Sequence, residues 1–136
     1  MEAKTQNSES VLATGKRKTA IAKVWLTLQG EGRFNVNGKT LENYFGAHHW
    51  QKASALKPLI VAKLEKADIE ARVLGGGITG QADAIRLGIA RAVAIANPKL
   101  RKLMRDEGFL TRDSRIVERK KPGRPKARRR FQFSKR

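Results

Sequence analysis

The chain has 136 residues, with 30 Lys and Arg against 12 Asp and Glu, so its formal net charge of +18 suits one basic domain with a tail and points to a polyanionic partner. It holds no cysteine, which excludes disulfides and thiolate metal sites. No apolar run reaches the roughly 18 residues of a membrane-spanning helix.

The N-terminus, MEAKTQNSES, has neither an apolar signal core nor an Arg-rich transit pattern. Residues 1–13 are expected to form a disordered lead-in. From Arg17 to Leu28 the chain alternates. Ala20, Ala22, Val24, Leu26 and Leu28 share one face, and Lys23, Trp25 and Thr27 share the other. Period two predicts a strand. Gly30-Glu31-Gly32 predicts a turn, and renewed alternation from Arg33 to Val36 predicts a hairpin partner, with Asn37-Gly38 as a second turn. Leu41 to Phe45 predicts one helical turn.

Pro58 suits the first turn of a helix, where its missing N–H is unsatisfied anyway, and predicts a short apolar helix over Leu59–Leu64. Asp68 to Leu74 alternates, with Ile69, Ala71 and Val73 on one face, and predicts a strand. Ile78 to Ala96 is the strongest helix. Ile78, Ala82, Ile85, Ile89, Ala92, Val93 and Ala96 recur at three and four as one apolar stripe. Gly80, Ala84 and Gly88 form a second face of small residues, suited to close packing more than to an RNA backbone. Arg86 and Arg91 fall off the stripe and are expected to meet solvent or phosphate. Asn97-Pro98 ends the helix, Leu100 to Met104 predicts a further short one, and Gly108 stops it.

Periodicity then gives way to charge. Thr111 to Arg136 hold twelve basic and two acidic residues, or +10 of the +18. Such a segment repels itself and has little apolar surface to bury, so it is expected to order only on a polyanion. Arg112, Arg115, Arg119, Lys120, Lys121, Arg124, Lys126, Arg128, Arg129 and Arg130 are candidate phosphate contacts. Phe131 and Phe133 add stacking surface, and Pro122 and Pro125 hold the chain extended. The alternative is a generic polybasic tail for nuclear import or an anionic membrane, of which membrane binding is the weaker option, given the aromatic content and the lack of an amphipathic pattern.

Gly75-Gly76-Gly77-Ile78-Thr79-Gly80-Gln81 joins the last strand to the long helix. Glycines there permit a sharp turn, and a helix N-terminus offers free N–H groups to a phosphate. Gly76, Gly77, Gly80 and Gln81 are the candidate contacts. A nucleotide site is disfavoured, since no Lys-Ser/Thr pair follows and the dinucleotide spacing is absent. His48 and His49 are adjacent and cannot face one metal from a helix, and no carboxylate stands at ligand spacing. Tyr44, Phe45, His48, His49 and Trp50 either stack on bases or close the edge of the core. Ser8, Ser10, Ser54, Ser114 and Ser134 lack a histidine partner, and Glu65, Asp68 and Glu70 read as surface charge. Neither a catalytic set nor a cofactor is expected.

The run Gly75 to Ala92, GGGITGQADAIRLGIARA, resembles the signature of the family of the ninth protein of the small ribosomal subunit. Three further blocks agree in order and spacing: Thr14 to Ala20, Leu110 to Arg115 and Gln132 to Arg136. The resemblance spans Thr14 to the last residue, and is weakest from Ala47 to Lys57. Trp25, His48, His49, Trp50, Phe131 and the proline pair depart from the family pattern.

The resemblance implies an α/β (α+β) fold: a compact two-layer β-α-β-α body over 14–110 with a left-handed crossover, and a long extended basic tail over 111–136. It implies a non-enzymatic constituent of the small subunit head. Its partners would be small-subunit rRNA, the tRNA of the peptidyl site and neighbouring ribosomal proteins, with no membrane or small-molecule substrate. Lys16, Arg17 and Lys18 would join the rRNA contacts, and Ser134, Lys135 and Arg136 would face the tRNA. The terminus is of the bacterial or organellar type, and a bacterial cytoplasmic ribosome is the expected location. A free-standing architectural nucleic-acid binder and a phosphotransfer enzyme using the glycine turn are the rival classes.

Overall fold

The computed structural model describes residues 10–64, 66–116 and 118–129. Most of the lead-in, Glu65, Arg130, Ser134, Lys135 and Arg136 lie outside the described residues. The elements are β1 (Val11–Arg17), β2 (Ala20–Thr27), β3 (Phe34–Val36), β4 (Lys39–Thr40), α1 (Leu41–Phe45), α2 (His49–Ala62), β5 (Asp68–Leu74), α3 (Ile78–Ala96), a 3-10 turn (Pro98–Leu100) and α4 (Arg101–Asp106). The strands form one mixed sheet in the order β1-β2-β5-β3-β4. The α/β class expected from the sequence is thus the observed one.

One sheet face is apolar and sealed. Ala20, Ala22, Val24 and Leu26 of β2 and Ile69, Ala71 and Val73 of β5 are buried. They alternate with exposed or half-buried neighbours, as period two requires. Helix α3 packs on β1 and β2, and α2 packs on α3. Because α3 is enclosed by sheet and helix, its burial exceeds one stripe: Ala84, Leu87, Gly88 and Ala90 are buried as well.

The close approach of α3 to the sheet has an atomic cause. A Cβ built on Gly15 would stand 1.9 Å from the Ala84 carbonyl oxygen, and one on Gly88 would stand 2.6 Å from Val24 Cγ2. The small face of α3 therefore serves packing.

Four sequence expectations change. The strand expected over Arg17–Leu28 begins later, because the chain reverses at Lys18-Thr19, with Lys18 in the left-handed region at φ 53°. What precedes the reversal is β1, which pairs antiparallel with β2 and takes Val11, Leu12 and Ala13 out of the lead-in. Second, β3 does not form a hairpin with β2. It lies parallel to β5, with Phe34 opposite Ile69. The Asp68 carboxylate accepts from the backbone N–H groups of Glu31 and Arg33, each at 2.9 Å, and ties the intervening loop to the start of β5. A parallel pair needs a long crossover, which α1 and α2 supply.

Third, Asn37-Gly38 does make a two-residue turn, but between β3 and β4, with both φ values positive at 53° and 81°. The Asn37 amide also pairs with the backbone of Val73, donating at 3.1 Å and accepting at 2.8 Å. Fourth, α2 starts at His49, so Pro58 lies in its interior and not its first turn. The lost hydrogen bond costs about 3 kcal/mol. Burial of Pro58 with Ala55, Leu59 and Ala62 offsets it.

Candidate nucleic-acid interface

The β1–β2 turn, the glycine loop and the start of α3 meet at one pole of the molecule. A Cβ on Gly75 would lie 2.7 Å from the Thr19 carbonyl oxygen, and one on Gly76 would lie 2.9 Å from Ala20 Cβ. Both residues have positive φ, 73° and 69°, so glycine is needed twice over, for conformation and for space. Gly77 differs. Its φ is −89°, and nothing lies within 4 Å of a Cβ built there. Gly77 caps α3 without a side-chain hydrogen bond. The first-turn N–H groups therefore lack the side-chain acceptor that usually occupies them.

Gly80 is buried beneath the hairpin, 3.6 Å from the Arg17 carbonyl oxygen when given a Cβ. The Gln81 amide donates to the Gly75 carbonyl at 3.0 Å and accepts from the Tyr44 hydroxyl at 2.5 Å. Gln81 thus braces the loop from inside.

Lys16 and Lys18 are exposed on either side of an inward-turned Arg17. The Arg17 side chain is 13% exposed, with Nε 3.5 Å from Asp83 Oδ2 and Nη1 3.1 Å from Asp113 Oδ1. Nη1 also donates to the carbonyl oxygens of Asp113 and Arg115 at 3.3 and 3.2 Å. Arg17 is therefore the bracket that fixes where the basic segment leaves the body. Asp113 is shared with Arg115, whose Nη2 stands 2.6 Å away. The hydrogen bonds from Arg115, above all, hold the Asp113 carboxyl well below the usual carboxylate range. The sequence signal for this role was faint: one aspartate between two arginines.

Within the basic segment, Glu118 accepts from Lys121 and, at 2.7 Å, from Arg128. Those bonds, Lys121 first, lower its pKa. Arg124 donates to the Arg128 carbonyl at 3.0 Å, and Gly123 sits at φ 78°. Residues 118–128 are thus bent rather than extended, folded around their one acidic side chain. Arg112, Arg115, Arg119, Lys120, Lys121, Lys126, Arg128 and Arg129 are exposed, and Arg124 is half-buried.

The other candidates divide. Arg91 Nη1 donates to the Thr14 carbonyl at 2.7 Å and so satisfies the edge strand instead of solvent. Arg86 pairs with Asp83 at 3.8 Å. Phe45 is buried, and Tyr44 meets it edge-on at 5.1 Å. Trp50 is 77% exposed, with the Lys57 ammonium 5.7 Å from its ring. The aromatic patch is thus partly core edge and partly surface. Among the described residues, no three His, Asp or Glu side chains gather as a metal site, and no helix is long and apolar enough to cross a membrane.

This geometry can be set beside known proteins. The family model for ribosomal protein S9/S16 matches residues 15–136. The chain is 54% identical over 127 residues to the small ribosomal subunit protein uS9 of Helicobacter hepaticus, covering 93% of this chain and 98% of that one. It is 52% identical over 128 residues to the uS9 of a Sulfurovum species, covering 93% and 98%. It is 54% identical over 125 residues to that of Campylobacter jejuni, covering 91% and 96%. A match that takes in the hairpin, the glycine loop, α3 and the basic segment together shows that the chain belongs to the ribosomal protein S9/S16 family.

Proposed function

We propose that this chain binds the rRNA of the small-subunit head through one basic pole, and that its tail extends along rRNA to the tRNA in the peptidyl site. As a member of its family the chain is a structural constituent of the small ribosomal subunit and not an enzyme. It works among ribosomal RNA and ribosomal proteins, in the cytoplasmic ribosome of a bacterium.

The observation that carries the proposal is the convergence at that pole. Lys18 in the β1–β2 turn, the N-terminus of α3 behind Gly77, and the bracketed exit of the tail at Arg17–Asp113 all stand together. A phosphate there would meet the Lys18 ammonium and a helix dipole, with no side chain of Gly77 in the way, while Lys16 offers its charge on the other face of the sheet. Residues 14–110 then act as the docking body and 111–136 as the tail.

The bend around Glu118 opens on binding, because rRNA phosphates outnumber one carboxylate as partners for Lys121 and Arg128. Arg112, Arg115, Arg119, Lys120, Arg124, Lys126, Arg129 and Arg130 line the same path, and Ser134, Lys135 and Arg136 reach the tRNA. The contribution of Gly80 and Gln81 is indirect, through the shape of the glycine loop.

The test is a salt titration of full-length protein on a head-domain rRNA fragment. Neutralising on the order of ten phosphates predicts that log affinity falls with log salt at a slope of about −7 to −9. A slope near −2 would show that the charge is not spent on phosphate.

A further inference from the structure

Opposite the face sealed by α3, the sheet is open among the described residues, and its side chains run in ordered rows. Nearest the glycine loop stand Lys16, Ile21 and Leu74, then Thr14, Lys23 and Arg72, then Leu12, Trp25 and Glu70. Leu12, Ile21 and Leu74 are 53%, 42% and 76% exposed. The Arg72 guanidinium lies over the Trp25 ring, 5.4 Å from its centre. Beside this pair opens a shallow basin of about 500 Å³, floored by Trp25, Asn35, Glu70 and Arg72.

The charge pattern decides what such a face fits. Protein interfaces have cores depleted in lysine and in charge. Here Lys23 and Arg72 occupy the centre and split the apolar side chains into two pairs, Leu12–Trp25 and Ile21–Leu74. Lys16, Lys23 and Arg72 stand against Glu70, while Asp68 at the far rim is already engaged by backbone N–H groups. A cationic sheet carrying an arginine-stacked indole matches a single strand of nucleic acid, whose bases stack on aromatic and guanidinium planes while cations track its backbone.

We propose that the open sheet face holds a single-stranded rRNA segment leading away from the glycine loop, with a base stacked on the Trp25–Arg72 pair and phosphates on Lys16 and Lys23. This rests on the rRNA-binding reading above and gives it a second surface with its own recognition chemistry.

The chain has two tryptophans, so Trp50→Phe leaves Trp25 as the sole reporter in full-length protein. Two probes are titrated: a single-stranded oligoribonucleotide, and inorganic polyphosphate of matched charge, which engages the tail but offers no base. RNA is expected to quench Trp25 emission severalfold more than polyphosphate. Trp25→Leu is expected to weaken RNA binding about tenfold at fixed salt and to leave polyphosphate binding unchanged. Trp25→Phe should restore most of the loss.

Equal quenching by both probes, or RNA binding with no quenching, overturns the proposal and leaves tail-driven rRNA binding standing. Failure of the unaltered protein to bind RNA takes down both readings. In assembled small subunits, a photoreactive group at position 74 should cross-link to rRNA. Capture of a neighbouring protein there instead would assign the face to protein and overturn the proposal.

Discussion

Arg17 Nη1 stands 3.1 Å from the Asp113 carboxylate, although 96 positions separate the two residues. The contact joins the first hairpin to the start of the basic segment, and Asp83 on α3 shares it. Arg17→Ala should destabilise the body by about 2 kcal/mol, since charge-assisted hydrogen bonds are lost and Asp83 and Asp113 each lose one of their cationic partners. Tryptic cleavage after Arg112 and Arg115 should also accelerate, because the exit of the tail is no longer tied. A thermal melt and a cleavage time course together check this. An unchanged cleavage rate would mean that the bracket does not restrain the tail.

The glycine loop yields a contrast between neighbours. Gly76→Val forces a β-branched residue into φ 69° and against Ala20, and should cost about 2 kcal/mol or more of stability. Gly77→Val has ordinary φ and open space, so its melt should stay within about 0.5 kcal/mol of the parent. If phosphate sits at the α3 N-terminus, Gly77→Val should still weaken rRNA binding several-fold. Equal behaviour of the two variants in both assays would contradict the distinction.

Contact between β1 and α3 depends on Gly15. Gly15→Ala places a Cβ 1.9 Å from the Ala84 carbonyl oxygen and 2.5 Å from the Gly88 nitrogen, both backbone atoms. The helix must move away, at a cost of about 3 kcal/mol. Gly80→Ala meets only ordinary contacts at 3.6 and 3.8 Å, so it should be tolerated. Denaturant unfolding of the two variants measures the difference.

Acid should loosen the loop that Asp68 ties to the start of β5. Its pKa is lowered, first by the backbone hydrogen bond from Arg33, with those from Glu31 and Gly32 acting alongside. A carboxyl whose folded pKa lies below its unfolded value, about 4, adds stability above that value and loses it as pH falls through the folded one. The melting temperature should therefore fall below about pH 4, and Asp68→Asn should flatten that part of the profile while lowering the plateau near neutrality. A variant with the parent profile would show that the loop over Gln29–Arg33 is held by other means.

At the far end, deletion of Lys135 and Arg136 should leave subunit assembly nearly intact, because ten basic residues of the tail remain. Loss of tRNA holding in the peptidyl site should be modest, about 1 kcal/mol or a fivefold faster dissociation, since the phosphates stay partly hydrated and screened. The measurement is tRNA release from programmed small subunits carrying full or truncated protein. Equal rates at low and moderate salt would leave the tail as an rRNA anchor only.

Much of this protein was legible as one-dimensional pattern. Helix α3 declares itself because nineteen periodic residues end at Asn97-Pro98, and β5 because alternation survives over seven residues. The basic segment is visible as charge, and the family as four blocks in order. Tertiary structure decided what depends on residues far apart in the chain. Strand β1 was hidden because Ala13 and Gly15 carry little strand propensity, and Gly15 is there to fit Ala84 and Gly88. The parallel pairing of β3 with β5 follows from Asp68, more than thirty residues from the loop it ties. Arg17 reads as one more cation between Lys16 and Lys18 until the fold brings Asp83 and Asp113 to it. Local propensity and periodicity carry no information about such partners, because their energy arises only when distant segments meet and exclude water.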